Sequence, residues 1–116
     1  EGKWTIKELL QHLIDSERIF AYRALRFARE DTTDLPGYEH DDYIVPSRAN
    51  NRAIDSLLEE YKALRASSIQ LFKSFDENML LRIGSANSSN VSVRAIGYIM
   101  IGHETHHCNV IKERYL

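Results

Sequence analysis

Apolar residues recur at steps of three and four along three stretches of the chain, and that spacing predicts three long amphipathic helices. In the first, Ile6, Leu9, Leu10, Leu13, Glu17, Phe20, Ala21, Ala24 and Ala28 form one stripe. Thr5 stands at an N-cap position, Glu8 follows three residues on to bond back, and Trp4 and Leu9 are spaced as a hydrophobic staple. This helix is predicted over about residues 5–30, stopping at Asp31-Thr32-Thr33 and Leu35-Pro36-Gly37. The second, over about 47–75, carries Ile54, Leu57, Leu58, Tyr61, Leu64, Ser68, Leu71, Phe72 and Phe75. The third, over about 92–115, follows the Ser-Asn-rich stretch 85–90 and presents Ile96, Ile99, Met100, His103, His107 and Val110, with Arg114 continuing the line. No strand-like alternation is evident, beyond a brief extended piece at 79–83.

The connections bear on topology. Residues 31–46 are predicted as a loop long enough to run back along a bundle, since extended chain covers roughly 3.3 Å per residue and helix about 1.5 Å. Such a crossover makes the first two helices parallel and belongs to a four-helix bundle. The fourth wall is then expected from a helix N-terminal to this chain or from a partner subunit.

With 116 residues, 43% hydrophobic and 28% charged, the chain suits one soluble domain over residues 1–116. No run of eighteen apolar residues can span a bilayer, and the first residues lack a secretory pattern. The net charge of −2 is well mixed, which argues against nucleic acid or a membrane as partner. Arg18, Arg23, Arg26 and Arg29 share their helix with Asp15, Glu17 and Glu30 and read as a solvated, ion-paired face. The lone cysteine, Cys108, excludes an internal disulfide and fits a reducing cytoplasm.

The chemistry lies in the histidines. His103 and His107, four residues apart on an apolar stripe, point the same way and can share one metal ion. Two stacked core imidazoles are otherwise hard to satisfy, because each needs partners for both ring nitrogens. The third ligand is expected from His12, then His40, then His106. His12 lies at the same end as the pair if first and last helices are antiparallel, though on the edge of its stripe. His40 competes through the crossover loop, and His106 is turned toward solvent.

His103-Glu104-Thr105-His106-His107 also spells the H-E-x-x-H string of zinc proteases. The metzincin extension needs a glycine and a histidine where Val110 and Glu113 stand, so that reading fails. Three neutral imidazoles leave a tetrahedral ion one position short, where a water is acidified toward pKa about 7 or a thiol is held as thiolate. Cys108 points roughly 140° away from the His103 direction and does not close the site. A metal that merely staples the bundle is the structural alternative. Glu17, mid-stripe, needs an arginine such as Arg114 or another, or serves as an acid–base group. Glu104 is a second catalytic candidate. Tyr38 and His40, from the polar-aromatic segment 38–43, are candidates for lining a substrate pocket, and Arg114 for binding a substrate carboxylate.

The run Trp4-Thr5-Ile6-Lys7-Glu8-Leu9-Leu10-Gln11-His12-Leu13-Ile14-Asp15-Ser16-Glu17-Arg18 resembles the first characteristic segment of the DinB-like superfamily. Phe20-Ala21-Tyr22-Arg23-Ala24, Leu35-Pro36-Gly37-Tyr38 and the closing Gly102-His103-Glu104-Thr105-His106-His107 match in the same order. The resemblance implies an all-α four-helix bundle, usually a homodimer, with His12, His103 and His107 as metal ligands. It implies a bacterial protein with one bound metal; all-nitrogen ligation suits a divalent transition metal such as zinc, nickel, copper or iron, with zinc or nickel expected first. Characterised members include transferases and an isomerase that use bacillithiol or mycothiol, and others are described as metal-dependent hydrolases. The chain departs from the family in opening just before the family's second helix, so the first helix is expected to be absent from it. The expected function is a thiol-dependent S-transferase acting on a small-molecule thiol and an electrophile. The alternatives are a hydrolase using metal-bound hydroxide and a non-catalytic, metal-stabilised stress-response module.

Overall fold

The computed structural model describes residues 3–114. Helices dominate: α1 (Ile6–Ala28), α2 (His40–Ser47), α3 (Ile54–Lys73), α4 (Glu77–Leu81) and α5 (Val93–Arg114). A hairpin of β1 (Ile83–Ala86) and β2 (Ser89–Ser92) precedes α5.

Helix α1 starts where its cap dictates. The Thr5 side chain accepts from Glu8 N, and the Glu8 carboxylate accepts from Thr5 N, so two otherwise unpaired amides are satisfied. Trp4 stacks on His12, with ring centroids 4.9 Å apart. Polar contacts then give the direction of α3. Thr5 meets Asn50 just ahead of α3, Gln11 meets Arg52, Arg18 meets Glu60 and Glu17 meets Arg65, so residue numbers rise together and α1 and α3 are parallel. Helix α5 runs the other way, since His12 faces His103 while Phe27 and Ala28 cluster with Val93 and Ile96.

The crossover is not the plain loop the sequence suggests. It contains α2 and a short 3-10 turn at Ala49–Asn51, and α3 begins at Ile54 rather than near 47. The reason lies in sparse patterning: Ile44 is the one buried residue of α2, so no periodicity marks it. Pro46 sits in its last turn and Arg48, at φ 54°, ends it in the left-handed region.

A second correction concerns 83–92, which form a true hairpin. Asn87 and Ser88 both take positive φ, 52° and 62°, as a two-residue turn of the type I′ class requires. Four-residue strands rich in glycine, serine and asparagine carry little β signal, and the turn is Asn-Ser rather than Asn-Gly. The hairpin completes the main core: Ala24, Phe27, Ala28, Leu35, Phe75, Ala86, Val93, Ile96 and Met100 pack together there. Gly84 lies flat on Phe27, where an added Cβ would come within 2.0 Å of the ring. Leu35 joins β1 through backbone bonds with Ser85 and Asn87, which ties down the start of the crossover.

Three long helices thus occupy three corners of a square, with α1 between the other two. Opposite α1, an apolar groove of about 450 Å³ lies between α3 and α5, lined by Ser68, Ile69, Phe72, Gly97, Tyr98 and Ile101. Parts of the predicted stripes face solvent accordingly, including Ile54, Leu58 and Ile99. Among the described residues, no helix is long and apolar enough to cross a membrane.

Candidate metal centre

Helical spacing places His103 and His107 one turn apart on α5, and antiparallel packing brings His12, two turns into α1, against them. His12 Nε2 lies 3.1 Å from His103 Nε2, which lies 3.1 Å from His107 Nε2. Three ring nitrogens, all within 4.8 Å of one another, form a group able to hold one ion. Metal–nitrogen bonds of about 2.0–2.1 Å across a 3.1 Å pair subtend roughly 100°, between the tetrahedral and octahedral angles.

Hydrogen bonding alone leaves this cluster frustrated. The single Nε2 of His103 faces two other Nε2 atoms, and one proton cannot serve both. His107 Nδ1 is buried with no hydrogen-bond partner among the described residues. A cation accepting all three Nε2 lone pairs removes the first conflict, so the residues present fit a metal.

Electrostatics point the same way. Burial first, and then the neighbouring His103, His107 and His40, push the His12 imidazole down to about 3. Burial and the adjacent His107, His40 and His106 push His103 down to about 4. His107 is lowered too, chiefly by burial. All three are neutral at pH 7, with lone pairs available for ligation.

The support around His12 was not singled out from the sequence. Ser16 Oγ lies 3.4 Å from His12 Nδ1 and 3.1 Å from the Tyr38 hydroxyl. With Nδ1 protonated toward Ser16, Nε2 is left bare for the ion. One turn of helix separates Ser16 from His12, so the i, i+4 spacing was the available signal. Tyr38 itself comes from the crossover, and burial raises its phenol above the ordinary value. His40 is exposed, its ring 4.8 Å from that of His12 and 4.8 Å from that of Tyr38. His106 is exposed and touches only the outer face of His107, at 5.2 Å.

The two glutamates meet beside the centre through a residue that sequence reasoning left unnamed. Glu17, only 4% exposed, accepts from Arg65 Nε at 3.0 Å and Nη2 at 2.6 Å. Arg65 Nη1 donates to Glu104 Oε1 at 2.9 Å, and Nη2 also reaches the Tyr61 hydroxyl at 3.1 Å. The arginine Glu17 needs is therefore Arg65, not Arg114, which lies exposed in the last turn of α5. A void of about 10 Å³, close to one water, opens between Glu17, Tyr61, His103 and Glu104. Cys108 is exposed and free.

These long helices form a bundle with three convergent imidazoles at one end, a group that could hold a metal ion. A family model of the DinB superfamily matches residues 1–111, and the chain belongs to that superfamily. None of the curated proteins matches it.

Proposed function

We propose that this protein is a metal-dependent enzyme, and specifically an S-transferase that joins a low-molecular-weight thiol to an electrophile. One observation carries the reading: three neutral imidazole nitrogens from two helices converge, and no carboxylate or cysteine sulfur joins their group among the described residues. A divalent ion held there, zinc or nickel, binds a thiol as thiolate at neutral pH. The nucleophile then comes from the substrate, which suits a chain whose single cysteine is exposed and outside the histidine group.

The chain's own side chains have separable tasks. His12, His103 and His107 bind the ion, and Ser16 with Tyr38 orients His12. Trp4 covers one side of His12 and restricts water there. Tyr38 and His40 line the approach from the crossover, and Arg114 lies about two turns beyond His107, within range of a long substrate's carboxylate. Arg65 pairs with both Glu17 and Glu104, which ties α1, α3 and α5 together beside the histidines.

The test is metal analysis of the purified protein followed by conjugation assays with bacillithiol, mycothiol and glutathione against a generic electrophile. Turnover with one thiol, lost on chelation, is the expected result. Silence with all three in metal-loaded protein removes the transferase. Hydrolysis remains a second reading because the void beside His103 admits about one water within reach of Glu17 and Glu104. Ester or amide turnover without added thiol, reduced in Glu104→Gln, would favour it.

A further inference from the structure

We propose that Arg65 is a positioning residue of the candidate metal centre, one that fixes the direction in which α5 presents His103 and His107. The proposal rests on the three-histidine reading above and adds to it what holds the ligands in place before an ion arrives. The two halves of α5 differ in how they are held. Val93, Ile96 and Met100 are buried in the main core and fasten the first half. From Ile101 to Arg114 no residue is buried. The ligands ride on the half of the helix that the core does not grip.

An ion pair does the gripping there. Arg65 Nη1 donates to Glu104 Oε1 at 2.9 Å. Apart from His103 on His12, no other residue from Ile101 to Arg114 hydrogen-bonds α1 or α3 among the described residues. Neighbouring side chains on a helix diverge by about 100°, so His103 looks to α1 while Glu104 looks to α3. Holding Glu104 against α3 therefore sets the rotation of this half about its own axis. The heading of His103 follows, and that of His107 one turn on.

The other end of the clamp is fixed. Arg65 Nε and Nη2 bond the buried Glu17 at 3.0 and 2.6 Å, on the helix that carries His12, and Nη2 also reaches the Tyr61 hydroxyl. A planar guanidinium offers its donors in a rigid fork, so its hold on Glu17 determines where Nη1 meets Glu104. One side chain on α3 thus sets α5 against α1 beside the 3.1 Å contact of His103 with His12. Charge alone predicts the opposite of position. Arg65 is a cation on the helix beside the imidazoles, so losing its field should strengthen the binding of another cation. Positioning predicts weaker binding, because a ligand set works best when held within about 0.5 Å of its bound geometry.

Zinc affinity measured against a chelator tests this in Arg65→Ala/Glu17→Gln and in Glu104→Ala, with hydrogen exchange of the metal-free proteins followed along α5. The double variant loses one positive and one negative charge, so its net charge is that of the wild type. Affinity should fall about tenfold or more in both. Glu104→Gln, which keeps an acceptor for Arg65, should retain more of it. Amides beyond Ile101 should exchange faster than in the wild type, while those of Gly97 to Met100 stay as they were. Unchanged or higher affinity in Arg65→Ala/Glu17→Gln, or exchange that rises equally in both halves of α5, overturns the proposal and leaves the three-histidine site standing. A fall in Glu104→Gln as large as in Glu104→Ala makes Glu104 act through its charge and overturns it too. A wild type that binds no zinc removes the three-histidine reading and this inference with it.

Discussion

Both ends of α1 bury apolar side chains, but only one also buries a set of polar ones. Toward its C-terminus Ala24, Phe27 and Ala28 are essentially buried, and their side chains pack in one apolar cluster with Ala86, Val93, Ile96 and Phe75. Toward its N-terminus Gln11, His12, Ser16 and Glu17 are nearly as buried, yet each is a polar group answered by a specific partner. At the apolar end, stability follows the area removed from water and tolerates rough shape matching. At the polar end it follows whether each donor and acceptor is met, so a single lost partner costs more than the contact was worth. Chemistry is therefore placed where buried polar groups share the helix with the buried Leu9, Leu13 and Ile14.

Breaking one end and then the other should separate folding from metal binding. Phe27→Ala should cost about 3–5 kcal/mol in urea unfolding. Metal content per folded chain should stay unchanged. His107→Ala should abolish metal retention by elemental analysis and leave the metal-free melting temperature nearly where it was. Variants that exchange these phenotypes would dissolve the contrast.

Arg65→Ala comes next. It strands the Glu17 carboxylate, 4% exposed, without its cation, and about 3 kcal/mol of stability should be lost. Adding Glu17→Gln to it should recover most of that loss. No recovery would mean that Arg65 acts through packing on Tyr61 instead.

Acid should act on the polar end through its histidines. Unfolded histidine protonates near 6.5, whereas folded His12 and His103 resist until about 3 and about 4. Between those limits the unfolded chain holds more protons, so the metal-free protein loses stability as pH falls from about 6.5 to 3. Above 6.5 the contribution is constant. Denaturant midpoints at pH 7.5, 5.5 and 4.5 should decline in that order, and decline less in His12→Phe. The smallest expected effect is Ser16→Ala, which frees the His12 ring and should weaken zinc binding about tenfold with little change in fold.

Much of this was legible before any coordinates. The Thr5–Glu8 capping box, the three long helices and the parallel crossover follow from local spacing and connection length. His103 and His107 share a face because they are one turn apart. The hairpin was not legible, because Gly84 and Ala86 are chosen for fit against Phe27 and its surroundings rather than for strand propensity. Arg65 escaped for a different reason. It is one of fifteen basic residues in the sequence, and nothing local distinguishes it from those at the surface.

Periodicity along the chain determines which residues share a face of a helix, since that depends on a few bonds of backbone geometry. Which face meets which is a matter of tens of residues of intervening chain and of how the core fills. Those long-range choices put His12 in direct contact with His103, laid His40 over His12, and gave Glu17 its arginine from α3. The ligands could be listed from one strand of text, but their convergence to 3.1 Å is a property of packing.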